Sequence, residues 1–202
     1  MRDASALPTM TVEEYFRFEE RSPIKHEYVA GEVYAMSGAT ARHNLIAGTI
    51  FSALLGAERS PCRVLMSDMR VQVAEDRYYY PDVAVICTPL AELDVVARGP
   101  CVVVEVTSQS TARIDRGEKL VAYRAIPALR AYLIVDHRRR RVERHWRDSP
   151  GGPWLREEIA AESQTPIPVP CLDVNLTLDE IYRRVELPAV HEPETPEYDT
   201  TD

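Results

Sequence analysis

The chain has 202 residues, 45% hydrophobic and 28% charged, the length and composition of one globular domain with tails. No stretch approaches the roughly 18 uncharged apolar residues of a membrane span. The N-terminal MRDASALPTMTVEEYF lacks the apolar run of a secretory signal, so a cytoplasmic protein without membrane partners is expected. A formal charge of −8 weighs against indiscriminate polyanion binding. Six of the acids, Glu186, Glu192, Glu194, Glu197, Asp199 and Asp202, lie in a C-terminal segment without Lys or Arg, which leaves the body at −2.

Residues 1–10 are expected to be a flexible lead-in. Thr11–Glu20 is predicted as a helix, opened by a capping box of Thr11 and Glu14. Lys25–Met36 reads as two short strands turning at Ala30-Gly31. Thr40–Gly56 is a second helix, with Ile46, Ile50, Ala53 and Leu54 on one face. Arg63–Val73 and Tyr78–Cys87 each read as one strand. Cys101–Val106 is nearly all apolar, as a strand covered on both faces should be. Thr111–Ala125 is predicted as a third helix whose core stripe is Ile114, Gly117, Val121 and Ala125. Ala131–Asp136 is another buried strand, followed by more exposed strands at Arg141–Trp146 and Trp154–Ala160.

The basic run Arg138–Arg141, with Arg144 and Arg147, reads as a solvated surface, or else as a site that meets phosphate. Thr177 and Glu180 form a second capping box for a last helix over Leu176–Val185. The acidic, Pro-rich segment 186–202 is expected to be a disordered tail. Deleting residues 188–202 should therefore leave the melting temperature nearly unchanged; a large drop on calorimetry would show that the tail docks. The element order implies an α/β (α+β) domain over residues 11–185, with a mixed central sheet flanked by helices. Cys62, Cys87, Cys101 and Cys171 show no C-x-x-C or zinc spacing and are expected as reduced structural thiols.

Two charges interrupt the buried strands. Asp82 follows Pro81, and Glu105 stands inside CVVVEVT. A buried carboxylate costs several kcal/mol unless paired or bound to a cation. Each could be salt-bridged to a base. Two on consecutive strands could instead converge on a hard cation such as Mg²⁺. In the third helix Asp115, Lys119 and Tyr123 share one stripe. Spacing alone favours an exposed Asp–Lys pair worth a few tenths of a kcal/mol.

In chain order these motifs are Tyr80-Pro81-Asp82-Val83, Val103-Val104-Glu105-Val106-Thr107, Asp115-Arg116-Gly117-Glu118-Lys119 with Tyr123, and Tyr132-Leu133-Ile134-Val135-Asp136. With Glu27-Tyr28-Val29-Ala30-Gly31-Glu32 and the helix beginning near His43, they resemble the bacterial family called putative restriction endonucleases, in the PD-(D/E)XK nuclease superfamily. The resemblance spans about Thr11 to Val185. It implies a restriction-endonuclease-like fold and a Mg²⁺- or Mn²⁺-dependent endonuclease acting on DNA. Asp82 and Glu105 would be metal ligands, and Lys119 the catalytic lysine. Two positions after Glu105 stands Thr107 rather than the superfamily's lysine, which the following helix would supply as Lys119. Glu27 and His43 are further site candidates. Glu27 could equally be an edge-strand charge, and His43 a packed helix residue. A homodimer would suit double-strand cleavage. The alternative is a catalytically silent nucleic-acid- or protein-binding module on the same fold.

Overall fold

A computed structural model describes residues 9–108 and 111–187. Most of the proposed lead-in and all but two residues of the acidic segment lie outside these residues. The chain opens with α1 (Val12–Glu19), capped by the expected box of Thr11 and Glu14. Tyr15 on its buried face stacks on Tyr28 at 4.9 Å, and its hydroxyl donates to the His26 carbonyl at 2.7 Å. β1 (His26–Val29) and β2 (Glu32–Ala35) form a hairpin. Its turn places Ala30 and Gly31 at φ +49° and +95°, a conformation that glycine adopts without steric cost. α2 (Ala41–Gly56) follows, with Thr40 as N-cap.

The next two predicted strands each divide. Arg63–Val73 becomes β3 (Arg63–Met66) and β4 (Arg70–Ala74), separated by Asp68 at φ +105°. Tyr78–Cys87 becomes β5 (Arg77–Tyr79) and β6 (Val83–Ile86), separated at Pro81, which has no N–H to continue a ladder. Then come β7 (Val96–Arg98), which the sequence reading did not contain, and β8 (Pro100–Thr107). α3 (Ala112–Ile114), a π-helical turn (Asp115–Lys119) and α4 (Leu120–Arg124) stand where one helix was predicted. β9 (Ala131–Asp136), β10 (Arg141–Trp146) and β11 (Leu155–Ala160) follow the expected order. A small hairpin, β12 (Ile167–Val169) and β13 (Val174–Leu176), leads to α5 (Leu178–Tyr182), opened by the Thr177–Glu180 box.

The expected mixed sheet has six strands in the order β11-β10-β9-β8-β6-β3, with β8 and β9 parallel and the rest antiparallel. A second sheet, β2-β1-β5-β4-β7, arises because the two divided strands each send half their length away. Alternation along β8 covers both faces of the six-stranded sheet. Val102, Val104 and Val106 pack with α2, α5 and the small hairpin. Val103 packs with Ala122 and Tyr123 of α4. No helix among the described residues is long and apolar enough to cross a membrane.

The basic run is neither a plain solvated stripe nor a bare phosphate cradle. Arg140 pairs with Asp179, Arg141 with Glu158 at 2.8 Å, and Arg144 with Glu157 at 2.9 Å. Arg147 is buried and donates to the carbonyls of Leu129, Ile126 and Pro127. These arginines tie β10 to its neighbours and secure the end of α4. The cysteines also depart from expectation. Instead of isolated thiols, Cys62 meets Cys87 and Cys101 meets Cys171, sulfur against sulfur.

Candidate active site

The interruption at Pro81 decides where Asp82 stands. The chain leaves the five-stranded sheet at Tyr79 and enters the six-stranded sheet at Val83, so Asp82 occupies the crossing. In the antiparallel ladder of β6 and β8, Val83 faces Val104. One step further along that register, Asp82 comes opposite Glu105. Its carboxylate is fixed from two sides. Oδ1 lies 2.8 Å from His43 Nε2, in the first turn of α2. Oδ2 accepts the Val106 N–H at 2.7 Å.

Glu105 is 5% exposed and projects from the face of β8 that meets α4. Its Oε1 accepts the Tyr123 hydroxyl at 2.9 Å and Lys119 Nζ at 3.0 Å. Lys119 Nζ also lies 2.7 Å from Glu27 Oε1 on β1 and 3.8 Å from Asp115 Oδ1. The ammonium therefore sits among three carboxylates, each from a different element. All five candidates converge: Glu27, Glu105 and Lys119 in direct contact, Asp82 in register with Glu105, and His43 bonded to Asp82.

The helix that carries Lys119 overturns the predicted stripe. Asp115, Lys119 and Tyr123 are 2%, 7% and 0% exposed, whereas Val121, assigned to the core, is 72% exposed. The exposed Asp–Lys pair favoured by spacing is thus a buried one. A π-helical turn holds more residues per turn than an α-helix, so the faces before and after it fall out of a regular 3.6-residue register. The turn is pinned on three sides. Tyr132 donates to the Asp115 carbonyl at 3.2 Å, Tyr79 to Glu118 at 3.0 Å, and Arg116 pairs with Glu143 at 3.0 Å. Asp115 and Tyr123 are the members that sequence reasoning left out of the site. Their i, i+4, i+8 spacing around Lys119 was the available signal.

Charge does not balance here. Glu27, Glu105 and Asp115 bring three buried acids around a single ammonium, and Asp82, held by His43, stands opposite Glu105 close by. Burial works against the Lys119 cation, but Glu105, Glu27 and Asp115 outweigh it and hold its pKa well above the ordinary value. Burial above all, then Asp115, Asp82 and Glu27, raise the Glu105 pKa well above the usual carboxylate range, against the pull of Lys119. Asp115 is raised chiefly by burial, again opposed by Lys119. An open cleft of about 570 Å³ near α1 is lined by Glu19, Lys25, Arg70 and Tyr80 among others, and by none of the five candidates.

A crystal structure titled a putative nuclease belonging to DUF820, from Anabaena variabilis, superposes with a TM-score of 0.70. The match covers 86% of this chain and 98% of that one, at 15% identity. The fold is that of the restriction-endonuclease-like nucleases. Residues 12–180 match the model of the Uma2 family, described as "Putative restriction endonuclease", and the chain belongs to that family. It is also similar to two uncharacterized Synechocystis proteins. It is 32% identical to slr1290 over 185 residues, covering 89% of this chain and 95% of the relative. It is 35% identical to sll1609 over 160 residues, covering 76% and 89%.

Proposed function

We propose that the protein is a divalent-metal-dependent endonuclease that hydrolyses DNA phosphodiester bonds at the cluster of Asp82, Glu105 and Lys119. The observation that carries this reading is the unbalanced charge: three buried acids face one ammonium, and a fourth, Asp82, stands opposite Glu105. A purely structural ion-pair network would be expected to match its charges, because an uncompensated buried carboxylate costs several kcal/mol. The surplus suits a hard cation, and the donors present are the carboxylate oxygens that Mg²⁺ or Mn²⁺ prefers.

Asp82 and Glu105 would hold the ion. When bound, it would polarise a phosphoryl oxygen and lower the pKa of an attacking water. The chain's own groups prepare the rest. His43 and the Val106 N–H fix the Asp82 carboxylate, and Tyr123 fixes Glu105. Lys119 supplies a fixed positive charge where negative charge grows on the phosphate oxygens, which is most effective in a site of low dielectric. Glu27 and Asp115 keep that ammonium protonated and in place.

The test is incubation of supercoiled plasmid, single-stranded DNA and RNA with the protein in Mg²⁺, Mn²⁺ or chelator, beside thermal melts in the same buffers. Nicking of DNA that requires the ion, with a melting temperature that rises with ion concentration, is the expected result. Metal-indifferent melting with no cleavage of any substrate would overturn it. His43→Ala removes one of the two restraints on Asp82. It should cost about 10- to 100-fold in rate or apparent metal affinity, as loss of a ligand-orienting bond typically does. An unchanged metal titration and rate would place His43 outside the machinery.

A further inference from the structure

The open cleft near α1 holds none of the five candidates, yet the chain ties it to them. Tyr80 in its wall stands two residues before Asp82, and Lys25 two residues before Glu27. Asp68 on its rim follows Ser67, whose N–H donates to the Asp82 carbonyl at 3.0 Å. Two residues span at most about 7 Å, roughly two base steps along a nucleic-acid strand. A buried cation lines the cleft. The Arg70 side chain is 9% exposed. Its Nε donates to the Tyr80 hydroxyl at 2.9 Å. The rings of Tyr15, Phe16 and Tyr80 surround its guanidinium carbon at 5.1, 4.7 and 5.4 Å. Glu19 Oε1 is 3.9 Å from Nη2, beyond hydrogen-bond reach. That carboxylate is already taken by the His26 N–H, His26 Nδ1 and the Tyr80 hydroxyl. Among the described residues the two terminal nitrogens of Arg70 therefore make no hydrogen bond, a costly state for a group so deeply buried.

The rest of the lining is amphipathic. Ile24 and Val95 are 52% and 70% exposed at the cleft, apolar side chains that would gain by covering a flat ring. Asp94 accepts the Ala91 N–H at 2.8 Å through Oδ2, and its Oδ1 makes no hydrogen bond among the described residues. Lys25 is paired with Asp68, so their charges cancel. What is left is Arg70 against the acids Glu19 and Asp94, a poor cradle for phosphate. We propose that the cleft receives an unstacked guanine base from the DNA strand beside the cut, read by Arg70 and Asp94. Guanine presents O6 and N7 to a bidentate arginine. Its opposite edge carries N–H donors, which suit a carboxylate. A cleft of about 570 Å³ is within the range of sites that hold a small molecule, and so has room for one nucleotide. Taking a base out of the stack costs least in a single strand. The inference rests on the nuclease reading for the strand it names, but base binding itself needs neither metal nor cleavage.

The whole chain, with its Ile, Leu and Val methyl groups labelled for NMR, is to be titrated in chelator with the four deoxynucleoside monophosphates, the 7-deaza analogue of the guanine nucleotide, and inorganic phosphate. The Ile24 and Val95 methyl signals should move with the guanine nucleotide. It should bind about 5- to 150-fold more tightly than the other three, the discrimination that one bidentate arginine–guanine pair supplies. The 7-deaza analogue, which lacks the N7 acceptor, should lose most of that preference. Arg70→Lys keeps the charge but not the planar fork, and should lose it too. If that variant fails to fold, Val95→Ser, at an exposed position, should weaken guanine binding severalfold. In Mn²⁺, cuts in single-stranded oligonucleotides should fall at a fixed offset from guanine. Equal binding of all four nucleotides and phosphate would overturn the proposal in favour of a plain anion site, and unmoved Ile24 and Val95 signals would overturn it outright. Cutting without base preference would overturn it and leave the nuclease reading standing. Guanine-selective binding by a protein that cuts no nucleic acid would sustain the cleft and overturn the nuclease reading.

Discussion

Asp82→Asn and Glu105→Gln are each expected to abolish metal-supported nicking while the protein stays folded. Asp82 is held by His43 and the Val106 N–H, and an asparagine of the same shape keeps the Val106 bond through its carbonyl oxygen. It loses the negative charge that a cation needs. Glu105→Gln leaves Lys119 with Glu27 and Asp115, so the ammonium is not orphaned. The pH dependence separates this site from a structural ion pair. Burial and the neighbouring acids raise the Glu105 pKa well above its ordinary 4.5 in the folded protein. The native state therefore keeps a proton that the unfolded chain releases, and metal-free stability falls as pH rises from about 4.5 through the folded pKa. Glu105→Gln removes that contribution. Its metal-free melting temperature should fall less than the wild type's between about pH 5 and pH 8. A variant that loses several kcal/mol at neutral pH and still nicks DNA would assign Glu105 to the scaffold.

Lys119→Ala is expected to produce the largest loss of stability of any single change in the site. It removes the one ammonium from among Glu27, Glu105 and Asp115 and leaves buried acids facing one another. Removing one partner of a buried ion pair typically costs about 3–5 kcal/mol. Part of that loss should be recovered when Mn²⁺ is added, because the ion restores positive charge to the cluster, while nicking stays severely reduced. Denaturant unfolding of wild type and variant, each with chelator and with Mn²⁺, measures both effects. A Lys119→Ala protein as stable as wild type in chelator would show that the ammonium does not balance the acids.

The acids were legible because of where they stand. A carboxylate among valines is conspicuous in any sequence, and Asp82 and Glu105 lie in such runs. The capping boxes at Thr11 and Thr177, the second helix and the strand Ala131–Asp136 were legible for the same reason: each depends on neighbours a few residues away. The π-helical turn was not. Its register depends on Tyr79, Tyr132 and Glu143, which are distant in the chain, and a helical wheel drawn at 100° per residue put Lys119 on the wrong side. The divided strands failed similarly. Tyr78–Cys87 reads as one apolar strand, yet the missing N–H of Pro81 lets one ladder end at Tyr79 and another begin at Val83. The convergence of the cysteines depends on a bulge in β8 and a hairpin about 70 residues later, and no local spacing announces either.

The passage of the chain between the two sheets has a consequence for how the protein comes into being. Glu27 belongs to the first-made hairpin, Asp82 to the crossing, Glu105 to the second sheet, and Lys119 to a turn pinned partly by β9 and β10. A ribosome that has delivered the first hundred residues has delivered two of the acids, neither with its ammonium. β8 acquires its parallel neighbour only once Ala131–Asp136 has emerged, and Tyr132 and Glu143 reach the π-helical turn later still. On the proposed reading, the unfinished chain has no assembled cutting centre to expose to DNA. The site the proposal needs is complete only when the last of these tertiary contacts has formed, so folding itself would act as the safety catch.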